Sequence, residues 1–124
     1  MPKIVFVNDK YETYDDLWDS KPDIDGYEWV RYEKDYDVDD STWASSNLTE
    51  AEQPTFHISA IPGVVIWVPE YTYDGVDETG DITLTKAAQW VATGWYHLTE
   101  GTEAEEPYDW DDLKPKIEYI INRT

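Results

Sequence analysis

The chain has 124 residues, the length of one domain with a buried core, and it contains no cysteine, which excludes disulfides, thiolate nucleophiles and cysteine-based zinc sites. Its 28 acidic residues against 9 Lys and Arg give a net charge of −19 at pH 7. Such a charge repels nucleic acid and anionic membranes and attracts basic proteins and cations. Hydrophobic residues make up 40% of the chain, and no apolar run approaches the ~20 residues of a membrane span. With no apolar leader in MPKIVFVND, the expectation is a folded cytoplasmic protein.

In chain order, Ile4-Val5-Phe6-Val7, set between Pro2 and Asn8-Asp9, predicts a buried strand. TYDDLWDS predicts a short helix, with Thr13 as N-cap and acids in the first turn. Residues 26–35 put Tyr27, Trp29, Arg31 and Glu33 opposite Glu28, Val30, Tyr32 and Lys34, which predicts a strand. Phe56, Ile58 and Ala60 alternate, Pro62-Gly63 signals a turn, and a β-rich run follows from Val64 to Tyr73. That pattern predicts a hairpin, with Pro69 marking an edge or a bulge. Leu84, Ala87, Ala88, Val91, Trp95 and Leu98 recur at helical spacing, with Thr85 as N-cap and Gly101 as stop. Trp110, Leu113, Ile117, Ile120 and Ile121 mark a second helix, starting near Asp111 or Asp112 so that Pro115 falls close to its first turn. The predicted architecture is a single α+β domain over residues 1–124, an antiparallel sheet of about four strands packed by two C-terminal helices.

The acids come in blocks. Residues 9–40 hold 13 acids and 4 bases, residues 100–112 hold 7 acids and no base, and residues 70–85 hold 5 acids and no base. Between them, 41–69 has only Glu50 and Glu52. One or two faces should therefore carry most of the field. B-DNA bears about one charge per 1.7 Å, so 19 charges match roughly 32 Å of duplex. A globule of this length is roughly 35 Å across.

Asp35, Asp37, Asp39 and Asp40 resemble the start of a calcium loop, but that geometry needs Gly at the sixth position and Glu at the twelfth. Here those positions are Asp40 and Ser46, so the pattern does not predict such a site. His57 and His97 have no partner at helical ligand spacing and read as structural or surface histidines. There is no nucleophile elbow and no glycine-rich phosphate loop. The expectation is a non-enzyme without catalytic residues, metal or cofactor. Aromatic residues are abundant, with 7 Trp and 10 Tyr. Trp29, Trp67, Trp90, Trp95 and Trp110 lie in apolar runs and are expected in the core. Tyr36, Trp43, Tyr71, Tyr73 and Tyr108 are flanked by acids or turn residues, which leaves them open between core and interface.

With its small size, absence of cysteine, acidic blocks and interleaved Tyr and Trp, the chain resembles the small acidic DNA-mimic inhibitors carried by phages, both anti-restriction and anti-CRISPR proteins. The resemblance spans the chain in composition and includes no alignable motif. It implies a partner rather than a fold: a basic DNA-binding protein, most fittingly a nuclease such as Cas9, with no direct binding of nucleic acid. On this reading Asp15, Asp16, Asp19, Asp23, Asp25, Asp35, Asp37, Asp39 and Asp40 form one phosphate-like row. Glu100, Glu103, Glu105, Glu106, Asp109, Asp111 and Asp112 form a second, and Tyr36, Trp43 and Tyr108 are anchors among them. The alternatives are an inhibitor of a restriction enzyme, an acidic regulator or antitoxin of another basic protein, a structural phage component, or halophilic adaptation of the surface.

Overall fold

Four consecutive apolar residues, Ile4 to Val7, cannot leave one strand face in water, and the chain covers them on both sides. The computed structural model describes residues 2–59, 61–95 and 108–122. Strand β1 (Lys3–Asp9) runs through the interior, with Ile4, Val5, Phe6 and Val7 fully buried. It pairs in parallel with β2 (Glu28–Lys34), Lys3 lying opposite Glu28 and Asp9 opposite Lys34. On its other side it pairs antiparallel with β3 (Gly63–Val68). A separate hairpin of β4 (Tyr71–Asp77) and β5 (Gly80–Lys86) follows β3. The chain then returns as β6 (Gln89–Gly94), antiparallel to β3, to complete the order β2-β1-β3-β6.

On one sheet face Ile4, Phe6, Val64 and Ile66 meet Leu17 of α1 (Asp15–Asp19) and Trp110, Leu113, Ile117 and Ile120 of α3 (Trp110–Asn122). On the other, Val5, Val7, Tyr32, Val65 and Trp90 meet Ala44 of α2 (Asp40–Asn47) and Leu48, with Trp43, Phe56 and Ile58 packed around them. A 3₁₀ turn (Glu50–Glu52) closes that side. The buried Glu52 carboxylate takes the Lys3 amine at 2.9 Å and the Thr49 hydroxyl at 2.8 Å, while its carbonyl accepts the Trp90 indole N–H. Of the five tryptophans expected in the core, Trp90, Trp95 and Trp110 are buried; Trp29 and Trp67 are half-buried against it.

The α+β class and the strand at Ile4–Val7 match expectation, but the sheet is mixed, not antiparallel. The β1–β2 pair is parallel because the intervening segment holds α1, and a crossover through a helix returns the chain in the same direction. The described residues contain one C-terminal helix, not two. Residues 84–95 form the end of β5 and all of β6. Within β6, Trp90 and Ala92 pack under α2 while Val91 faces α3, a period of two that prevails over the helical spacing. Ala87 and Ala88, which sustained that spacing, only join the two strands, and Leu98 and Gly101 lie outside the described residues.

Nor does the predicted hairpin form. Residues 56–59 are irregular, Ala60 is outside the described residues, and β3 pairs with β1 and β6. A run buried on both faces, as Val64 to Ile66 is, belongs inside a sheet covered by a layer on each face rather than in a separate hairpin. Pro69 breaks the run, and β4 starts afresh at Tyr71. Helix α1 is present, yet its N-cap is Tyr14 in the left-handed region (φ 49°), with no capping side-chain bond from Thr13. In α3, Pro115 sits deeper than predicted, and the helix tolerates it because Asp111, whose carbonyl loses a helical donor, is exposed. Helix α2 was not predicted: DSTWASSN contains mostly weak helix formers, and burial of Ala44 and Leu48 at i, i+4 holds it in place. Among the described residues no helix is long and apolar enough to cross a membrane.

Candidate protein-interaction surface

Because β1 and β2 run parallel, whatever follows each of them emerges at the same end of the sheet. The segments that begin at Lys10 and at Asp35 are therefore neighbours where they leave the sheet. Lys10 bridges them by an ion pair to Asp35 at 3.0 Å. Lys34 donates to the Val38 carbonyl at 3.1 Å and to Asp40 at 2.7 Å, and Tyr32 donates to the same Asp40 oxygen at 2.6 Å. Arg31 reaches over from β2 to fix the start of α1. Its Nε donates to Asn8 Oδ1 at 3.0 Å, and Nη2 donates to the Thr13 carbonyl and Asp15 at 2.7 Å each. Lys21 lies 3.8 Å over the Trp18 ring and donates to the Trp18 carbonyl. All four bases of residues 9–40 are thus engaged with groups of the chain itself.

The exposed remainder is negative. Asp16, Asp19, Asp37 and Asp39 are exposed, and Tyr36 stands among them at 65% exposure. Helix α3 brings further acids to this region. The Trp110 indole donates to the Leu17 carbonyl at 2.7 Å, and the Tyr14 and Tyr108 rings lie 5.8 Å apart. Asp109, Asp111 and Asp112, all exposed, are thereby carried to α1. Asp109 accepts the Asp111 backbone N–H at 2.8 Å, and Asp111 and Asp112 occupy the first turn of α3, where a helix dipole favours negative charge.

The postulated row of nine aspartates does not remain together. Asp23 and Asp25 precede β2, so a seven-residue strand, about 20 Å long, separates them from Asp35–Asp40. They rim a shallow depression of about 300 Å³ with Lys114 and Glu118 instead. Glu100, Glu103, Glu105 and Glu106 lie outside the described residues. Of the three postulated anchors, Trp43 is half-buried, stacked on Tyr32 with centroids 4.3 Å apart, and Tyr108 is half-buried against Trp95 at 5.6 Å. Sequence reasoning missed Tyr11, which is 78% exposed beside Lys10 at this same end. Its flanking charged residues, Lys10 and Glu12, were the available signal.

The engaged carboxylates hold their charge firmly. The hydrogen bond from Arg31 lowers the Asp15 pKa, and the Asp37 backbone N–H followed by Lys10 lowers that of Asp35. Burial opposes ionisation of Asp40 and Glu52, but bonds from Lys34 and Tyr32, and from Lys3 and Thr49, outweigh it and leave both lowered. Such groups stabilise the fold above their ordinary values, 3.8 for Asp and 4.5 for Glu, and release that stabilisation as pH falls through the lowered ones. Burial first, then the bond to Asp40, raises the Tyr32 phenol well above its usual range. Among the described residues no group of three or more His, Cys, Asp or Glu could hold a metal ion. His57 is exposed in an irregular segment, its Nδ1 2.9 Å from the Thr55 carbonyl, and His97 is outside the described residues.

Arg31 is expected to matter more to this surface than any acid it binds. Arg31→Met deprives the fully buried Asn8 of its donor and frees the Thr13 carbonyl. A loss of about 2–3 kcal/mol in urea unfolding follows. Asp15→Asn, at a carboxylate 66% exposed, should cost much less, because solvent screens the pair.

The fold and this surface define an acidic α+β protein with exposed carboxylates at one end of its sheet. No family model, curated protein or solved structure matches the chain.

Proposed function

We propose that this protein is a non-enzymatic inhibitor that offers DNA-like charge to the DNA-binding surface of a host nuclease, with a CRISPR effector such as Cas9 as the leading target. One observation carries the reading. Acids from three separated segments, residues 9–19, 35–40 and 109–112, converge around the C-terminal end of β1 and β2 and the neighbouring α1, while the bases among residues 9–40 are engaged internally. A carboxylate pairs bidentately with a guanidinium much as a phosphate does. In Cas9-type enzymes the complementary groups are the arginines that read the PAM duplex and the basic channel that holds the heteroduplex. Tyr11 and Tyr36 add exposed rings beside the carboxylates, and aromatic anchors of this kind give apolar contact once charge has steered the encounter.

Capture from bacterial lysate at low salt, with elution by rising salt or heparin, tests the proposal. The expected product is a DNA-binding nuclease whose cleavage of DNA the protein suppresses at low salt and spares at high salt. A Cas9-type effector or a restriction enzyme in that eluate decides between the two inhibitor readings. Recovery of capsid or tail proteins, or of a basic protein with no DNA-binding activity, overturns the proposal in favour of a structural component or an acidic regulator.

A further inference from the structure

The β4–β5 hairpin forms a two-stranded sheet of its own, away from the acidic end of β1 and β2. Its register places Tyr73 opposite Leu84 and Gly75 opposite Ile82, so these side chains share one face with Tyr71. Asp74, opposite Thr83, and Val76, opposite Asp81, share the other. The first face therefore carries the large apolar side chains, with Lys86 at its base and Asp77 at its tip, and the second carries Asp74 and Asp81. Gly75 is part of this construction, because a Cβ there would lie 2.6 Å from Leu84 Cδ1. Leu84 uses that space to lie across the strand. At the base Tyr71 packs on the core, and Tyr71, Tyr73, Lys86 and Gln89 surround a cavity of about 420 Å³.

Among the described residues no strand pairs with the outer edge of β4. Natural edge strands are commonly guarded by lysine, proline or a bulge. From Tyr71 to Asp77 this strand contains neither Lys nor Pro; its charged residues are Asp74 and Asp77. In a chain of net charge −19 these acids repel a second copy and leave the edge open to a cation-bearing strand.

We propose that the outer edge of β4 takes an extended basic segment of a partner protein as an added strand, one in which apolar residues alternate with Lys or Arg. The edge N–H and C=O groups supply the ladder. The alternation sets register: apolar side chains fall on the Tyr71–Tyr73 face by the cavity, and basic ones fall beside Asp74. This surface is distinct from the acidic end of the parallel pair and does not depend on the partner being a nuclease.

The test uses the full chain and two synthetic peptides as long as β4, of identical Leu and Lys content. One alternates the two residues and the other groups them in blocks. The alternating peptide is expected to bind at least about tenfold more tightly, with backbone amide shifts concentrated at residues 71–77. Asp74→Lys should weaken it about tenfold and Glu50→Lys, an equal change in charge, less than about twofold. Equal affinity for the two peptides, shifts spread over residues 9–40, equal effects of the two substitutions, or no binding of either peptide overturns the proposal.

Discussion

Trp110→Ala is expected to be the most destabilising single substitution on the α1–α3 side of the sheet, lowering stability in urea unfolding by about 3–5 kcal/mol. The ring is 7% exposed and lies 5.9, 5.4 and 5.1 Å from Phe6, Trp29 and Trp95. Its indole N–H is also the donor that joins α3 to the Leu17 carbonyl of α1. Alanine removes both the packing and the bond, and a domain with roughly 5–15 kcal/mol in hand loses a large share of it. Trp110→Phe separates the two contributions, keeping most of the ring and losing about 1–2 kcal/mol with the bond. The same residue sets the geometry of the acidic surface, since its indole bond ties the start of α3, flanked by Asp109 and Asp111, to α1. Trp110→Phe should therefore weaken partner capture more than its stability loss alone predicts. A cost for Trp110→Ala below about 1 kcal/mol would mean that α3 is held on the sheet by other contacts.

Much of the charge has a structural reason as well as a proposed functional one. Each of α1, α2, the 3₁₀ turn and α3 begins with acids in its first turn, and none ends with a base. At such positions a carboxylate contributes about 0.3–1 kcal/mol through the helix dipole, which offsets part of the repulsion of a crowded negative surface. This explains why an acidic block can coincide with a helix start, as at Asp15-Asp16, Asp40 and Asp111-Asp112, without unfolding it.

The elements legible in the sequence were those whose local pattern and tertiary setting agree. Ile4–Val7 and residues 28–34 read as strands because apolar runs and alternation have no helical rival there, and α3 because its stripe from Trp110 to Ile121 is long. Residues 84–95 misled because Ala87, Ala88, Val91 and Trp95 fit a helix equally well, and only the demand of β3 for a second neighbour decides the matter. The parallel pairing of β1 and β2, on which the acidic surface depends, was not legible at all: nothing in either strand states its direction, and α1 was recognised without being read as a crossover. For the same reason the acids were identified by residue but not by place. Asp35 meets the segment that follows β1, to which Lys10 ties it, while Asp23 and Asp25 go to the other end of β2. The partners that tie down Asp15, Asp35 and Asp40 lie 16, 25 and 6 residues away in the chain, beyond the reach of composition.

That placement yields the second large prediction, a comparison of two double reversals that change net charge equally. Asp19→Lys with Asp37→Lys alters the surface, and Glu28→Lys with Glu50→Lys alters the opposite end, where Lys3 lies opposite Glu28 and bonds to Glu52. Asp19 closes α1, where a lysine suits the helix dipole, and Asp37 sits in an exposed turn, so neither reversal should unfold the chain. Glu52 is unsuitable for the control pair because it is buried and bonded to Lys3 and Thr49. Each reversal on the surface removes an attraction to the captured nuclease and adds a repulsion. Together these should cost about 2 kcal/mol at physiological salt, roughly a 30-fold loss of affinity. The control pair should lose less than about threefold, through the change in overall field alone. At 1 M salt the screening length shrinks to about 3 Å, and the difference between the two pairs should nearly vanish. Equal losses for both pairs would mean that the partner senses net charge rather than this surface, and the proposed mimicry of DNA would fail with it.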